Sequence, residues 1–366
     1  MALQISILGV SDAGKTTIVE KLIDKKLSKY RAESSSGMTM KMNYGQFKIG
    51  DGAYYIFDSP GHKSYCLETL RTVDLADIIL YIADASSARG TGEYLQAIEH
   101  YRVTTTLLER MDKLVITCFN KAELRSDEEL ERMYDDYCSV FSAACTLPIS
   151  GKIPNGLVAL EAKLAEIDPQ KLISNRVQPP ESVIARVIKS YNVNKTGVVL
   201  DRVRGGVVGV YKHRKIDPSR SLSMSNVFCE DVTRLAIESI IDNNDQIATI
   251  ETKGDPTLYK NDFQKGAIIY DYDLLKYQNF CEGSLSLTTN MKSLSKGERI
   301  TLLLFGQELS LVVKKLHTSK RETVVDCGIE KVRNKVIAPI GASGILIAGN
   351  KSHEAWSLDV AVITSG

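Results

Sequence analysis

Gln4-Ile5-Ser6-Ile7-Leu8 alternates like a strand, and Ile18, Val19, Leu22 and Ile23 recur at helical spacing. Between them stands Gly9-Val10-Ser11-Asp12-Ala13-Gly14-Lys15-Thr16. The pattern G-x-x-x-x-G-K-[ST] in this setting commits the chain to a strand, a tight loop and a helix. Small residues let successive backbone N–H groups curl around a phosphate pair, and the helix N-terminus adds its dipole. Lys15 brings a point charge to the outer phosphates, and Thr16 offers a hydroxyl to Mg²⁺. The expected phosphate contacts are Asp12, Ala13, Gly14, Lys15, Thr16 and Thr17.

Beyond the loop, periodicity decides the fold class. The stretches Tyr54–Phe57, Ile78–Ala83, Leu114–Phe119 and Thr146–Ile149 read as strands. The near-continuous apolar runs among them suit strands covered on both faces. Helical stretches alternate with them at Glu93–Leu108, Asp127–Phe141 and Leu157–Ile167. Alternation of this kind predicts a mostly parallel, doubly wound α/β sheet, with ligands at the C-terminal strand ends.

The pattern changes near Asp168. Pro169, Pro179 and Pro180 mark a linker, after which helical periodicity fades. Short β-type segments follow, from Ser182–Ile188 to Leu358–Thr364, punctuated by Gly, Pro, Asn and Asp. This is the signature of all-β barrels or sandwiches. With 366 residues the chain has room for two to three domains. The expected division is a nucleotide-binding domain at 1–168, a linker at 169–181, and two β-barrel domains at 182–276 and 277–366.

Four further segments extend the opening motif. Asp58-Ser59-Pro60-Gly61-His62 ends the Tyr54–Phe57 strand. Asp58 there can hold Mg²⁺ through water, and Gly61 can give its N–H to a γ-phosphate with no side chain in the way. His62 is the candidate catalytic residue, orienting an attacking water. Ser36-Gly37-Met38-Thr39-Met40 precedes that strand, and Thr39 can present oxygens to Mg²⁺; alone, Gly-Met-Thr is also plain loop. The metal set is therefore Thr16, Thr39 and Asp58. Asn120-Lys121-Ala122-Glu123 ends the Leu114–Phe119 strand. Asn120 braces the loop, the Lys121 stem covers a purine, and Glu123 accepts two N–H donors from a guanine edge; a helix-capping loop is the bland alternative. Ser150-Gly151-Lys152 then offers a backbone N–H to the guanine O6, a role supported only by its place in the order.

Composition narrows the class. A formal charge of +1 excludes a global field for nucleic acid, so any such contact must use local patches. Candidates are Arg202, Arg204, Lys212, His213, Arg214 and Lys215, and further on Lys314, Lys315, His317, Lys320 and Arg321. For any one of these, a solvated strand edge is the simpler explanation. The seven cysteines are scattered without a C-x-x-C pair, which fits a reducing compartment and no zinc site. The first residues lack a signal-peptide n-region, and no apolar run is long enough to span a bilayer. A cytoplasmic location is expected.

Together these motifs resemble the GTPase domain of translational GTPases. D-S-P-G-H is similar to the D-[TC]-P-G-H of the elongation factor Tu group, and Gly37-Met38-Thr39 to its R-G-[IV]-T segment. Val183–Ile188, Gly197–Leu200, Val203–Gly206, Ile216-Asp217-Pro218 and Lys265-Gly266 run like that group's second, β-barrel domain. The likeness covers nearly the whole chain and is greatest to the selenocysteine-specific, SelB-like branch of archaeal type. It implies a GTPase that uses hydrolysis as a conformational switch. It also implies Mg²⁺ as cofactor, GTP and GDP as ligands, tRNA or aminoacyl-tRNA and the ribosome as partners, and a monomeric state. The chain departs from the group at Glu123, where the family has aspartate, at Ala13 and Ser11 in the loop, and at Ser36 in place of the switch arginine. A GTPase-fold scaffold without turnover, and a metabolic P-loop kinase, are the competing classes.

Overall fold

In the computed structural model, the described residues are 2–23, 43–58, 66–111, 113–141, 145–174, 183–191, 204–212, 214–219, 222–225, 233–234, 236–243, 247–253, 268–271, 281–282, 284–304, 307–319, 321–329, 335–336, 343–349 and 357–365. The chain divides into two units, Met1–Arg176 and Val177–Gly366. Thr39, Gly61 and His62, three of the expected site residues, lie outside the described residues, as does the 197–203 segment.

The strands of the first unit are β1 (Leu3–Leu8), β2 (Asn43–Ile49), β3 (Gly52–Asp58), β4 (Ile78–Asp84), β5 (Leu114–Asn120) and β6 (Cys145–Pro148). They form one sheet of order β2-β3-β1-β4-β5-β6. All neighbours are parallel except β2, which forms an antiparallel hairpin with β3. The helices are α1 (Lys15–Leu22), α2 (Cys66–Leu75), α3 (Gly92–Arg110), α4 (Asp127–Val140), α5 (Val158–Ala165) and α6 (Pro169–Ser174). The strand β2 and the helix α2 were not legible in the sequence. Residues 169–174, expected as linker, form α6, and Leu172 and Ile173 pack onto the core of this unit.

Strand pleating explains why the central runs are apolar throughout. Leu3, Ile5 and Ile7 of β1 and Ile78, Leu80 and Ile82 of β4 share a core with Ile18 and Val19 of α1 and Leu160 and Leu164 of α5. The alternate positions face the other helix layer. There Tyr81 of β4 and Phe119 of β5 join Tyr101 of α3 and Tyr137 of α4 in a cluster of edge-on and tilted rings. Ring centroids stand 4.7 to 5.0 Å apart, in the favoured range for such pairs. Polar tips in this layer find partners: Tyr101 Oη lies 2.9 Å from Thr117 Oγ1.

Order in the sheet positions the ligand site. Strand β1 has β3 on one side and β4 on the other, so the loop after β1 sits where the strand order reverses. Open α/β sheets bind ligands at that point.

In the second unit, β7 (Val183–Tyr191), β8 (Arg204–Lys212), β9 (Leu222–Ser225), β10 (Thr233–Arg234), β11 (Ala236–Asn243), β12 (Ile247–Lys253) and β13 (Ile268–Asp271) form a seven-stranded sheet. Its pairings are antiparallel, and Ile184, Val187, Ile250 and Ile269 lie in its core. Among the described residues no ladder joins β10 to β11. Beyond it, β14 (Cys281–Glu282) pairs with β19 (Lys335–Val336). The strands β15 (Ser284–Thr289), β16 (Arg299–Leu304), β17 (Gln307–Thr318), β18 (Thr323–Ile329), β20 (Ser343–Ala348) and β21 (Ser357–Ser365) close into a barrel. Inward residues such as Leu287, Leu302, Leu311 and Val325 fill it. Among the described residues, no helix is long and apolar enough to cross a membrane.

The helix α4 starts at a full capping box: Ser126 Oγ accepts from Glu129 N–H, and the Glu129 carboxylate accepts from Ser126 N–H. Ser126→Ala should destabilise the first unit by about 1 kcal/mol, as losses of such caps do. Urea denaturation followed by circular dichroism checks this.

Candidate functional site

The loop after β1 takes backbone conformations that restrict which side chains it can carry. Gly14 has φ +88°, and a Cβ there would stand 2.3 Å from Asn120 Nδ2. Gly9 has φ +141°, and a Cβ there would meet the Ile82 carbonyl oxygen at 2.3 Å. Only glycine fits either position. Asp12 takes a left-handed φ of 60°, which a short polar side chain tolerates. The loop then runs straight into α1, whose first residues are Lys15 and Thr16.

Lys15 is buried, and its ammonium donates to the Val10 carbonyl at 2.7 Å. Burial pulls its pKa down from the ordinary 10.5 to about 8, although the nearby Asp58 and Asp12 carboxylates work in the opposite direction. Thr16 Oγ1 donates to Asp58 Oδ2 at 2.9 Å. Asp58 closes β3, fully buried, in register with Ile7 of β1. The expected hydroxyl and carboxylate are therefore adjacent.

Asn120 ends β5 and is buried. Its Nδ2 donates to the Ala13 carbonyl at 2.8 Å, and its Oδ1 accepts from Gly151 N–H at 2.9 Å. One side chain thus ties the loop after β1 to the loop after β6. Lys121 has a left-handed φ of 64°. Its ammonium reaches back to the Asp12 carbonyl at 3.0 Å and to Asp84 Oδ2 at 2.6 Å. Ala122–Leu124 forms a 3-10 turn that presents Glu123 exposed. The buried Ser150 caps its own loop, its Oγ accepting from the N–H groups of Lys152 at 3.2 Å and Ile153 at 3.3 Å. Asp12, Ala13, Gly14, Lys15, Thr16, Asp58, Asn120, Lys121, Ser150, Gly151 and Lys152 are thereby gathered on neighbouring loops. Thr17 joins them, since its methyl lies 3.2 Å from the Cβ position of Gly151.

Three anchoring residues were not picked out in the sequence. Asp84 pairs with Lys121. Arg125 donates to the Ala85 carbonyl at 2.7 Å and the Ser86 carbonyl at 2.9 Å. Lys21 of α1 donates to the carbonyls of Ser150 and Ile153. The readable signal for Asp84 was a carboxylate closing an apolar strand beside a Ser-Ser turn; the other two look like ordinary surface cations.

A glycine-rich loop, a buried lysine, a threonine–carboxylate pair and a braced second loop define a P-loop nucleotide-binding domain. The model of the elongation factor Tu GTP-binding domain matches residues 2–297, and the chain belongs to that family. Among curated relatives, elongation factor 4 of Mycoplasmopsis synoviae (strain 53) is 24% identical over 237 residues, which are 59% of this chain and 37% of that protein. GTPase Der of Ruegeria pomeroyi is 28% identical over 132 residues, 34% of this chain and 25% of that protein. The matched regions span about a quarter to a little over a third of the length of these relatives. Among solved structures, the bacterial selenocysteine-specific elongation factor EF-Sec aligns with a TM-score of 0.71 at 14% identity, over 99% of this chain and 58% of that one. Elongation factor SelB of Methanococcus maripaludis, in complex with the GTP analogue GppNHp, aligns with a TM-score of 0.70 at 16% identity, over 100% and 79%. These two share the fold of this chain.

Asn120→Ala would leave the Ala13 carbonyl and the Gly151 N–H without their partner. Each such loss costs about 1–3 kcal/mol, so the denaturation midpoint of the first unit should fall accordingly. Lys15 makes the site sensitive to pH. Between about pH 8 and the ordinary 10.5 the native Lys15 has lost its proton while the unfolded chain keeps it. Folding stability without ligand therefore rises with pH across that window. Phosphate favours the charged amine, so binding there takes up a proton and affinity falls as pH rises above about 8. Calorimetry at about pH 9, near the middle of the shift, in buffers of different ionisation heat should register the uptake. Lys15→Met should remove its contribution.

Proposed function

We propose that this chain is a guanine-nucleotide switch of the translation-factor type, which binds GTP with Mg²⁺ and hydrolyses it slowly until a partner accelerates the step. The observation that carries the reading is the Asn120 brace, because it joins a phosphate loop to a base-side loop within one site. Family membership and the translation-factor fold support the same assignment.

The phosphates lie along Asp12–Thr17, with Gly61 giving its N–H to the γ-phosphate. Asn120 and Lys121 frame the purine, Glu123 accepts from its edge, and the Ser150–Lys152 backbone meets the O6. Thr16 and Asp58 are hard oxygen donors 2.9 Å apart, which suits Mg²⁺. Among the described residues no three His, Cys, Asp or Glu converge to hold a metal by themselves. The ion would therefore draw its other ligands from Thr39, water and the nucleotide phosphates, and it would supply charge neutralisation there. His62 orients the attacking water.

The β-domains, with proposed limits 182–276 and 277–366, serve as the readout. Their basic clusters include exposed Lys314, Lys315, His317 and Arg321 around the β17–β18 turn. These suit phosphate contacts with tRNA, including aminoacyl-tRNA, on the ribosome in the cytoplasm. A monomer is expected.

Turnover of GTP and ATP, with and without ribosomes, tests the proposal. We expect GTP preference and ribosome stimulation of about tenfold or more, as partner-triggered GTPases show. His62→Ala should cut the stimulated rate by about 10²–10⁴, the range for loss of general-base positioning. Equal use of ATP removes the guanine assignment. Identical rates for wild type and variant under every condition favour the non-catalytic scaffold.

A further inference from the structure

The loop after β4 belongs to no expected motif, yet it is braced at several points near the site. Ala85 N–H donates to the Asn120 carbonyl at 2.9 Å, and Arg125 takes the Ala85 and Ser86 carbonyls. A third hold comes from Arg89, whose guanidinium forms two bonds of 2.6 Å with Asp136 of α4. At the start of this loop stands Asp84. Its Oδ1 accepts from Ser86 N–H at 2.8 Å and from Ser86 Oγ at 2.6 Å. Its Oδ2 faces the Lys121 ammonium at 2.6 Å. Both oxygens are committed, so the carboxylate has one orientation.

We infer that Asp84 is a positioning residue for nucleotide binding: it pins the Lys121 ammonium between β4 and the phosphate loop, and so lays the Lys121 stem out as a fixed wall of the base pocket. The inference rests on the proposed guanine-nucleotide function and deepens it. The side chains of Lys121 and Asp84 are only 23% and 12% exposed, so the pair is not a solvated surface contact. Lysine has a long flexible stem and loses much rotamer entropy when ordered. With its head held at the Asp12 carbonyl and the Asp84 carboxylate, that cost falls on folding rather than on binding. The stem covers a ring face and reads no edge. Asp84 therefore governs affinity and residence time, while discrimination between guanine and other purines stays with Glu123 and the Ser150–Lys152 backbone.

The test is a double-mutant cycle on mant-GDP dissociation and GDP affinity in the full chain, with Asp84→Asn and Lys121→Met. Asp84→Asn keeps an acceptor for Ser86 and removes the charge. We expect GDP affinity to fall by about tenfold with Lys121 present, through a faster off-rate, the scale of a largely buried charge-assisted bond. In the Lys121→Met background the same change should alter affinity by less than about twofold, because coupled residues are non-additive. The ratio of GDP to IDP affinity should stay at the wild-type value throughout. Asp84→Glu, which keeps the charge, should recover part of the loss; if the asparagine variant does not fold, Asp84→Ser, which also lacks the charge, carries the cycle. An equal loss in both Lys121 backgrounds would assign Asp84 to the Ser86 turn alone and overturn the inference. So would wild-type affinity in Asp84→Asn. A wild-type chain that binds neither GDP nor ADP overturns the nucleotide function itself, and is distinguishable because no variant is needed to see it.

Discussion

The first unit is organised around one side-chain amide. Asn120 sits at the end of a central strand, buried, and spends its two polar ends on two different loops. A carboxylate there would repel the Ala13 carbonyl, and an apolar residue would strand two backbone groups. The amide alone donates on one side and accepts on the other. The steric limit at Gly14 follows from the same contact, since the Asn120 amide occupies the space a Cβ would take. The conformation of the loop after β1 and the position of the loop after β6 therefore depend on one another.

Electrostatics follow from burial. Placing Lys15 inside the loop costs enough desolvation to lower its pKa to about 8, even with Asp58 and Asp12 close by. A phosphate group would relieve that cost, which is one physical reason for a site of this shape to hold anions. The cation on the other side, Lys121, has Asp84 as a counter-charge at 2.6 Å. Two lysines approach the same loop, Lys15 bonded to the Val10 carbonyl and Lys121 paired with Asp84.

Much of this was legible in the sequence because it is local. The strand–loop–helix order around Gly9–Thr16 and the strands ending at Asp58 and Asn120 rest on short apolar patterns, and the barrel strands from Leu285 onward on short β-type segments between turn residues. Less local features escaped. The strand β2 carries exposed polar residues at Gln46 and Lys48, because it is the edge of the sheet and part of it faces away from the core. The helix α6 begins at a proline, which reads as a breaker but suits a first helical turn, and Leu172 and Ile173 supply its apolar contacts. Asp84 and Arg125 gain meaning only from partners some forty residues away, a relation no window of sequence displays. The roles of Thr39, Gly61 and His62 rest on their motifs.

We propose that residues 9–17, 120–123 and 150–152 form a single pocket for one guanine nucleotide. Hydrogen exchange with Mg²⁺-GDP, compared with Mg²⁺-ADP at equal concentration, tests it most directly. GDP should slow exchange in all three segments together, and ADP only weakly. Protection confined to residues 9–17, equal for the two nucleotides, would contradict it.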